Sequence, residues 1–278
     1  MRINPRFIDR FVKISLNAQA YFTVGILIII VLIIFFKGVS DLNIEFIFYY
    51  PEDMGRHGGI FPAIVGTFFL AALSLIFASP LGIGTAIFLT EYTKESRLTK
   101  IIRFGVESLA GIPSIIYGLF GFIFFVNTLR MGWSLLSGAL TITIMILPTI
   151  IRTSEEAIKS VPKSLRMVSY SLGATRWETT TKVVLPSAAP GILTGIMLSV
   201  GRAVGETAAV IFTMGSSLRL PTSLMDSGRT MAVHFYILAR EGISMEMAYT
   251  TALVLVLSIL AVNVAAYYFM NKVMKKYS

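Results

Sequence analysis

The sequence predicts an all-α membrane protein with six transmembrane helices and both termini in the cytoplasm. Three observations lead to this prediction: the composition, six long apolar segments, and the distribution of Lys and Arg. The chain has 278 residues, of which 55% are hydrophobic and 14% are charged, whereas a soluble domain carries about 25% charged residues. It contains no cysteine, which excludes disulfides and thiolate metal sites.

Six segments are apolar enough to cross a bilayer, which takes about 20 helical residues. They cover residues 19–36, 61–89, 104–127, 133–151, 188–214 and 247–271. The first follows four basic residues, as in a signal peptide, but its apolar core exceeds the usual length of about 7–15 residues and no small-residue cleavage site follows. We therefore expect it to remain as a span. The second contains Pro80, which is expected to kink or break the helix.

Six spans divide the 24 Lys and Arg residues unequally between the two sides. Seventeen lie in residues 1–18, 90–103, 152–187 and 272–278, six lie on the other side, and Arg202 lies within a span. The positive-inside rule then places both termini in the cytoplasm. Splitting 61–89 into two spans would put basic residues 90–103 beside the acidic loop 38–60, so one span is favoured. The net charge is +9, but the basic residues lie in short clusters between the apolar segments, as membrane topology explains, and form no basic face. We therefore expect no nucleic-acid partner.

The longest predicted cytoplasmic loop, residues 152–187, carries its own helical pattern. Leu165, Val168 and Leu172 recur at helical spacing before Gly173, and a second stretch ends at Leu185-Pro186. This pattern predicts two short amphipathic helices, with Gly173 at a left-handed turn. An interfacial helix lying on lipid is the alternative, but the hinge glycine and the terminal proline favour a compact docking element.

Arg202 and Glu206 are charged residues within the fifth apolar segment. Either charge at the centre of a lipid-facing helix costs about 2.5–3.5 kcal/mol on insertion scales. If the segment is one helix, the two side chains share a face at i, i+4 and can pair. Gly201 and Gly205, like Gly191 and Gly195, have the spacing that lets another helix approach closely.

Two interpretations of these charges follow. They form a buried ion pair that fixes helix packing, or Arg202 faces a polar pathway where its guanidinium meets an oxyanion. We favour the pathway, because an ionisable residue inside the membrane is by default a functional candidate.

The stretch "GIPSIIYG" (111–118) places Pro113 and Ser114 inside the third segment, either as a kink or as unwound backbone that lines a cavity.

Motifs for catalysis, nucleotide binding and metal binding are absent from the sequence. There is no G-x-x-x-x-G-K-[ST], no G-x-S-x-G and no H-E-x-x-H, and the two histidines, His57 and His234, lie far apart. We expect no catalytic site, no metal site and no cofactor bound by this chain.

Several stretches resemble known transporter subunits. "GATRWETTTKVVLP" (173–186) is similar to the distal half of the EAA loop of ABC importer permeases, although Met167, Val168 and Ser169 stand where that family has Glu-Ala-Ala. "GGIFPAIVGT" (58–67), "LAGIPSIIYGLFGF" (109–122), "LPTIIRTSEEAIKSVPKSLR" (147–166) and "GRAVGETAAVIF" (201–212) together resemble phosphate-specific ABC permeases. "MAVHFYILA" (231–239) favours the PstA type over its sister subunit.

The resemblance implies a MetI-like ABC permease core over residues 58–271. Residues 1–57 would then hold the N-terminal cytoplasmic segment, the first span and an outer loop, and residues 272–278 a cytoplasmic tail. The implied protein is a multi-pass subunit of the cell membrane that imports inorganic phosphate. The residues implied to couple to the ATPase are Ser169, Gly173, Ala174, Leu185 and Pro186.

The implied pathway residues are Arg202 and Glu206, with the helix break at Pro113 and Ser114 nearby. The implied partners are a sister permease, a cytoplasmic ATPase dimer that binds ATP and Mg²⁺, and an extracytoplasmic phosphate-binding protein. Permeases for molybdate or sulfate, the sister phosphate permease and a secondary anion carrier remain as alternatives. A carrier would often show inverted repeats with paired broken helices, and the sequence has no convincing internal repeat.

Overall fold

The computed structural model describes residues 5–277, which fold into a bundle of long helices joined by short ones. The helices are α1 (Pro5–Gly38), α2 (Ile44–Phe48), α3 (Phe61–Ile87), α4 (Arg97–Ala110), α5 (Ser114–Gly121), α6 (Leu135–Ser160), α7 (Lys163–Ser171), α8 (Arg176–Thr179), α9 (Leu185–Val204), α10 (Ala208–Thr213), α11 (Met231–Arg240) and α12 (Met245–Tyr277). Strands β1 (Pro51–Glu52) and β2 (His57–Gly58) pair antiparallel in the loop before α3.

Three π-helical segments lengthen these elements. Phe88–Tyr92 extends α3, Phe122–Thr128 extends α5, and Thr180–Val184 joins α8 to α9 without a break. The helix that begins at Arg176 therefore continues to Val204, and the prediction that a short helix ends at Leu185-Pro186 is wrong. Pro186 lies in the first turn of α9, directly after the π turn, where the missing N–H of proline is tolerated.

The long helices agree with the predicted number of spans. Within the described residues, five helices are long and apolar enough to cross a membrane: Val12–Gly38, Phe61–Tyr92, Leu135–Ser160, Arg176–Val204 and Met245–Tyr268. A sixth span requires joining Arg97–Ala110 to Ser114–Thr128, which are bent by 102°. The second segment is one helix, as predicted, and it continues through Pro80 rather than breaking there.

The basic segments 90–103 and 152–187 meet at one end of the bundle. Arg103 Nε lies 2.8 Å from Glu155 Oε1, and Arg166 Nη2 lies 2.7 Å from Glu91 Oε1. Loops between the other helix ends meet at the opposite end, where the Ser134 N–H donates to the Thr213 carbonyl at 3.1 Å. We call the first the hairpin end, because α7 and α8 lie there. The alternation of basic and less basic loops thus holds in three dimensions, and its orientation in the cell remains a prediction.

Helix α6 is the centre of the bundle. Its side chains Ile142, Met145, Ile146 and Ile150 are fully buried, and it packs against α3, α9, α4, α5 and α10. Glycines bring the neighbouring backbones close, since a Cβ on Gly82 of α3 would lie 2.7 Å from Ile150 Cγ2. Helix α1 packs against α12, where Lys37 lies over the Tyr249 ring, and most of its described side chains are exposed, as expected of a lipid-facing helix.

Candidate functional site

The fifth apolar segment, predicted as one continuous helix, breaks at residues 205–207, just after Arg202. Helix α9 ends at Val204, Gly205 caps it, and α10 begins at Ala208. The Ala209 N–H donates to Glu206 Oε1 at 3.2 Å, so the carboxylate caps the N-terminus of α10, where anionic groups are favourable. Glycine weakens a helix by about 1 kcal/mol relative to alanine, and the carboxylate offers the freed backbone an alternative partner.

The predicted geometry of Arg202 and Glu206 is therefore wrong. They do not share a helix face, and although both lie in the described part of the chain, they form no ion pair. Both side chains are half-buried. The guanidinium is left without the carboxylate partner that the i, i+4 spacing indicated.

The third segment breaks at Gly111, Ile112 and Pro113. Helix α4 ends at Ala110, Pro113 adopts φ −59° and ψ 142°, and Ser114 begins α5. The Tyr117 hydroxyl donates to the Leu109 carbonyl at 2.6 Å across the bend, which fixes the two helices at their 102° angle. The backbone therefore leaves the helix at this stretch with a sharp bend, and the cavity lining stays a prediction.

The two breaks are neighbours. Leu109 and Ile112 at the first break pack in the same apolar cluster as Ala203 and Val204 at the second. Helices α5 and α10 then run in close contact, since a Cβ on Gly118 would lie 2.8 Å from the Ala209 Cα. Tyr117, whose hydroxyl bridges the first break, is buried in the same apolar cluster. Folding therefore brings together Pro113, Ser114 and Arg202, which are about 90 residues apart in the sequence.

The face that carries Gly201 and Gly205 is open in this chain. Among the described residues, nothing lies within 4 Å of a Cβ built on Gly201, and the nearest atom to one on Gly205 is the Gly201 carbonyl oxygen at 3.4 Å. By contrast, a Cβ on Gly191 would lie 2.6 Å from the Ala157 Cβ, and one on Gly195 would overlap Thr153. The prediction of a close helix approach is confirmed for Gly191 and Gly195 and is wrong within this chain for Gly201 and Gly205.

Of the two predicted short cytoplasmic helices, the first exists as α7, whereas the second is α8, the start of the long helix Arg176–Val204. Together α7 and α8 form a hairpin. Gly173 has φ +82°, as the turn requires, and the Ala174 N–H donates to the Ser169 carbonyl at 3.2 Å; both features are typical of a Schellman cap. The buried hydroxyls of Ser169 and Thr179 lie 2.9 Å apart, which links the two helices. Leu185 packs with the buried apolar residues where α9 starts, and Pro186 lies in the first turn of α9.

The outer surface of this hairpin is apolar and uncovered. Met167, Val168, Leu172 and Trp177 have exposed fractions of 68%, 59%, 83% and 63%. Exposed apolar patches of this kind mark sites for protein or membrane contacts. The compact turn and the Ser169–Thr179 link favour docking of the hairpin as one body.

Buried ion pairs anchor the hairpin end, and sequence reasoning missed them. Glu91 and Glu155 are 6% and 7% exposed, and their partners Arg166 and Arg103 are 75 and 52 residues away. The available signal was weak: each acidic residue lies within the last turns of an apolar helix. Helical spacing cannot indicate a partner on another element.

Arg229 is a buried cation at the end of the bundle opposite the hairpin end. Its Nη1 donates to His234 Nδ1 at 3.1 Å and its Nε donates to the Ser216 carbonyl at 3.0 Å. Burial lowers the pKa of Arg229 to about 10, although Glu241 acts against that shift. Burial and the adjacent Arg229 charge lower the pKa of His234 to about 3, so the imidazole is a neutral acceptor.

Within residues 5–277, acidic residues, histidine and cysteine form no cluster that could hold a metal ion.

Comparison with known proteins agrees with this fold. Residues 78–276 match the family described as "Binding-protein-dependent transport system inner membrane component". The probable ABC transporter permease YqgI of Bacillus subtilis is 33% identical, with 99% of each chain covered. The phosphate transport system permease PstA 1 of Mycobacterium tuberculosis is 34% identical, with 78% of this chain and 71% of the relative covered.

A solved structure has the same architecture. A chain of the inward-facing MetNI methionine ABC transporter superposes with a TM-score of 0.63 at 19% identity, covering 75% of this chain and 94% of that one. This likeness supports the predicted MetI-like fold. The chain therefore belongs to the family of inner-membrane components of binding-protein-dependent transport systems, as a multi-pass permease subunit of the ABC type in the cell membrane.

Proposed function

We propose that this permease moves inorganic phosphate through a pathway that passes Arg202. The observation that leads to this proposal is the half-buried Arg202, which lies without an acidic partner at two adjacent helix breaks. A relative of 34% identity is named a phosphate transport permease. A planar guanidinium binds phosphate oxygens through paired hydrogen bonds.

Weak binding is as necessary as attraction along such a pathway. An anion that crosses a low-dielectric region needs positive charge or hydrogen-bond donors, yet it must also leave. One arginine, with the Glu206 carboxylate four residues away engaged by the Ala209 N–H, meets both needs. The first turn of α5, which begins at Ser114, would add backbone N–H groups near the same point, because the first N–H groups of a helix lack intrahelical acceptors.

We propose that the open Gly201–Gly205 face receives the sister permease, so that the pathway forms between the two subunits. Arg202 would then face the pathway rather than lipid, which removes most of the cost of a lipid-exposed charge, about 2.5–3.5 kcal/mol. The exposed apolar hairpin would dock into a cytoplasmic ATPase dimer. That ATPase would bind ATP and Mg²⁺, and an extracytoplasmic phosphate-binding protein would deliver the substrate.

The test is uptake of labelled phosphate by proteoliposomes that contain both permeases, the ATPase and the binding protein. Arg202→Gln should reduce uptake at least about tenfold, the scale on which one charge-assisted hydrogen bond acts. ATP hydrolysis should persist, because docking lies elsewhere. Arg202→Lys should recover part of the uptake at most, since lysine keeps the positive charge but lacks the planar guanidinium that donates paired hydrogen bonds.

The matched control is Lys13→Gln, which removes one positive charge from an exposed position on α1 and should leave uptake unchanged. Because Arg202 and Glu206 do not pair, adding Glu206→Gln to Arg202→Gln should not restore transport. Restored uptake in that double variant would indicate a purely structural pair. Equal competition by sulfate or molybdate would assign another oxyanion, and uptake without the ATPase would indicate a secondary carrier.

A further inference from the structure

The side chains of the π-helical turn at the end of α3, Phe88–Tyr92, contact four other helices. Leu89 packs with Val106 of α4 and Ile151 of α6. Glu91 contacts α7, and Tyr92 contacts α8. The extra residue of a π turn shifts the side chains that follow it around the helix axis, and such turns often occur at functional sites.

Glu91 and Arg166 form the tightest of these contacts. Arg166 Nη2 and Nε donate to Glu91 Oε1 at 2.7 and 3.2 Å, and the side chains are 7% and 16% exposed. The other guanidinium hydrogens reach the end of α6, where Nη1 donates to the Val161 carbonyl at 2.7 Å and Nη2 to the Ile158 carbonyl at 2.9 Å. Arg166 thus joins three elements: α7, α3 and the end of α6.

The second helix of the hairpin is held at the adjacent residue. The Arg176 guanidinium at the start of α8 lies 5.3 Å from the centroid of the Tyr92 ring, within range of a cation–π interaction. The Ser169–Thr179 hydrogen bond makes α7 and α8 one body. The end of α3 therefore contacts both helices of the hairpin.

Chain connectivity makes the α3 contact distinctive. The hairpin is covalently continuous with α6 through Val161 and Pro162 and with α9 through the π turn 180–184. No peptide linkage joins it directly to α3, which is more than 60 residues earlier in the sequence. Displacement of the hairpin would reach α6 and α9 through the backbone, whereas α3 would follow through side-chain contacts.

We propose that Glu91 and Arg166 are positioning residues that transmit movement of the hairpin to α3. This inference rests on the proposed docking of the hairpin to an ATPase. Breaking a buried pair leaves an uncompensated charge, so the contact holds as the hairpin is displaced. Without it, α3 would follow the hairpin only through its packing on α6 and α9, its end would lose the direct contact with α7, and ATP would be hydrolysed with less transport.

The first test uses the permease alone. The chain has no cysteine, so spin labels can be placed at Met167→Cys on α7 and Leu81→Cys on α3, which are 68% and 57% exposed. Pulsed electron paramagnetic resonance should give a narrow distance distribution when Glu91 is present and a broader one in Glu91→Gln. An unchanged distribution would overturn the proposal, whether or not the hairpin docks an ATPase.

The second test uses the reconstituted complex. Glu91→Gln and Arg166→Lys should retain the ATPase but raise the ATP hydrolysed per phosphate imported by about tenfold, the effect of losing one hydrogen bond to a charged group. Arg103→Gln is the matched control: it removes a partner of the similarly buried Glu155 and leaves the hairpin contacts intact. It should leave that ratio unchanged, since Glu155 keeps Lys159 Nζ at 2.6 Å.

The outcomes separate the two proposals. An unchanged ratio in both pair variants, or the same rise in Arg103→Gln, would overturn transmission through Glu91 and Arg166. Failure of the unsubstituted permease to bind the ATPase or to import phosphate would instead overturn the proposed function. The spin-label result stands apart, because it requires neither partner nor substrate.

Discussion

His234 acts as a neutral acceptor for a buried cation. Arg229 and His234 are 8% and 1% exposed, and the 3.1 Å contact between Nη1 and Nδ1 requires an unprotonated Nδ1, since arginine only donates. Protonation would place two positive charges side by side in a buried site. The loop before α11 is therefore held by an interaction that depends on a neutral imidazole.

We predict that this imidazole destabilises the fold as the pH falls. The pKa of His234 lies near 3 in the folded protein and near its ordinary value of 6.5 when unfolded. Between these values the unfolded chain binds more protons, so stability rises with pH and is lost on acidification, by at most about 1.4 kcal/mol per pH unit. The melting temperature in detergent should fall between pH 7.5 and pH 5 less steeply in His234→Gln than in the unsubstituted chain.

His57→Gln provides the control for this measurement. The His57 side chain is 65% exposed, so its removal should leave the pH dependence as it is. Identical pH dependence in all three proteins would contradict the role of His234.

At the scale of elements, short-range signals decide where helices stop. Gly205 and Glu206 end α9, Pro113 separates α4 from α5, and Gly173 turns α7 toward α8. Each break leaves backbone groups that a side chain or a cap satisfies, as the Glu206 carboxylate does for the Ala209 N–H. The two breaks in the spans lie at the proposed pathway, and the third forms the hairpin that we propose docks to the ATPase.

Gly173→Val should weaken recovery of the ATPase while membrane insertion persists. A β-branched residue at φ +82° is strained by about 1–3 kcal/mol, and the surroundings of Gly173 are open, so strain rather than collision perturbs the turn. We expect co-purified ATPase to fall at least about fivefold, the factor that about 1 kcal/mol produces.

Gly242→Val is the matched control. Gly242 has φ +65° and nothing within 4 Å among the described residues, but it lies between α11 and α12 at the opposite end. It should cost similar stability and leave ATPase recovery unchanged. Equal recovery from both variants would remove the docking assignment of the hairpin.

At the scale of the whole molecule, the two ends of the bundle differ in charge. The basic segments 90–103 and 152–187 lie at the hairpin end. Because α1 packs antiparallel to α12, the start of α1 and the end of α12 point toward the same end. We expect this end to face the cytoplasm.

Cysteine labelling tests this orientation. Lys100 on α4 and Arg219 in the loop before α11 are both exposed and lie at opposite ends. In intact cells an impermeant thiol reagent should label Arg219→Cys, whereas Lys100→Cys should react only after permeabilisation. Labelling of Lys100→Cys in intact cells would reverse the orientation. The unsubstituted chain, which has no cysteine, measures the background.

Much of this architecture was determined by the sequence itself. The number of membrane segments follows from apolar lengths that match a bilayer, and the left-handed turn at Gly173 follows from a steric preference within one residue. The alternation of basic loops follows from residue counts along the chain. These properties depend on neighbours in sequence, so a linear pattern is sufficient to predict them.

Only the tertiary structure decided how the distant parts meet. Arg202 and Glu206 have the spacing of a helical pair, yet a backbone N–H competes successfully for the carboxylate, and this competition depends on where the helix ends. The adjacency of the two breaks and the Glu91–Arg166 pair join residues 75 or more positions apart. Such pairs are selected by the packing of whole helices, because desolvated charges are stable only where folding supplies a partner, and no local pattern identifies that partner.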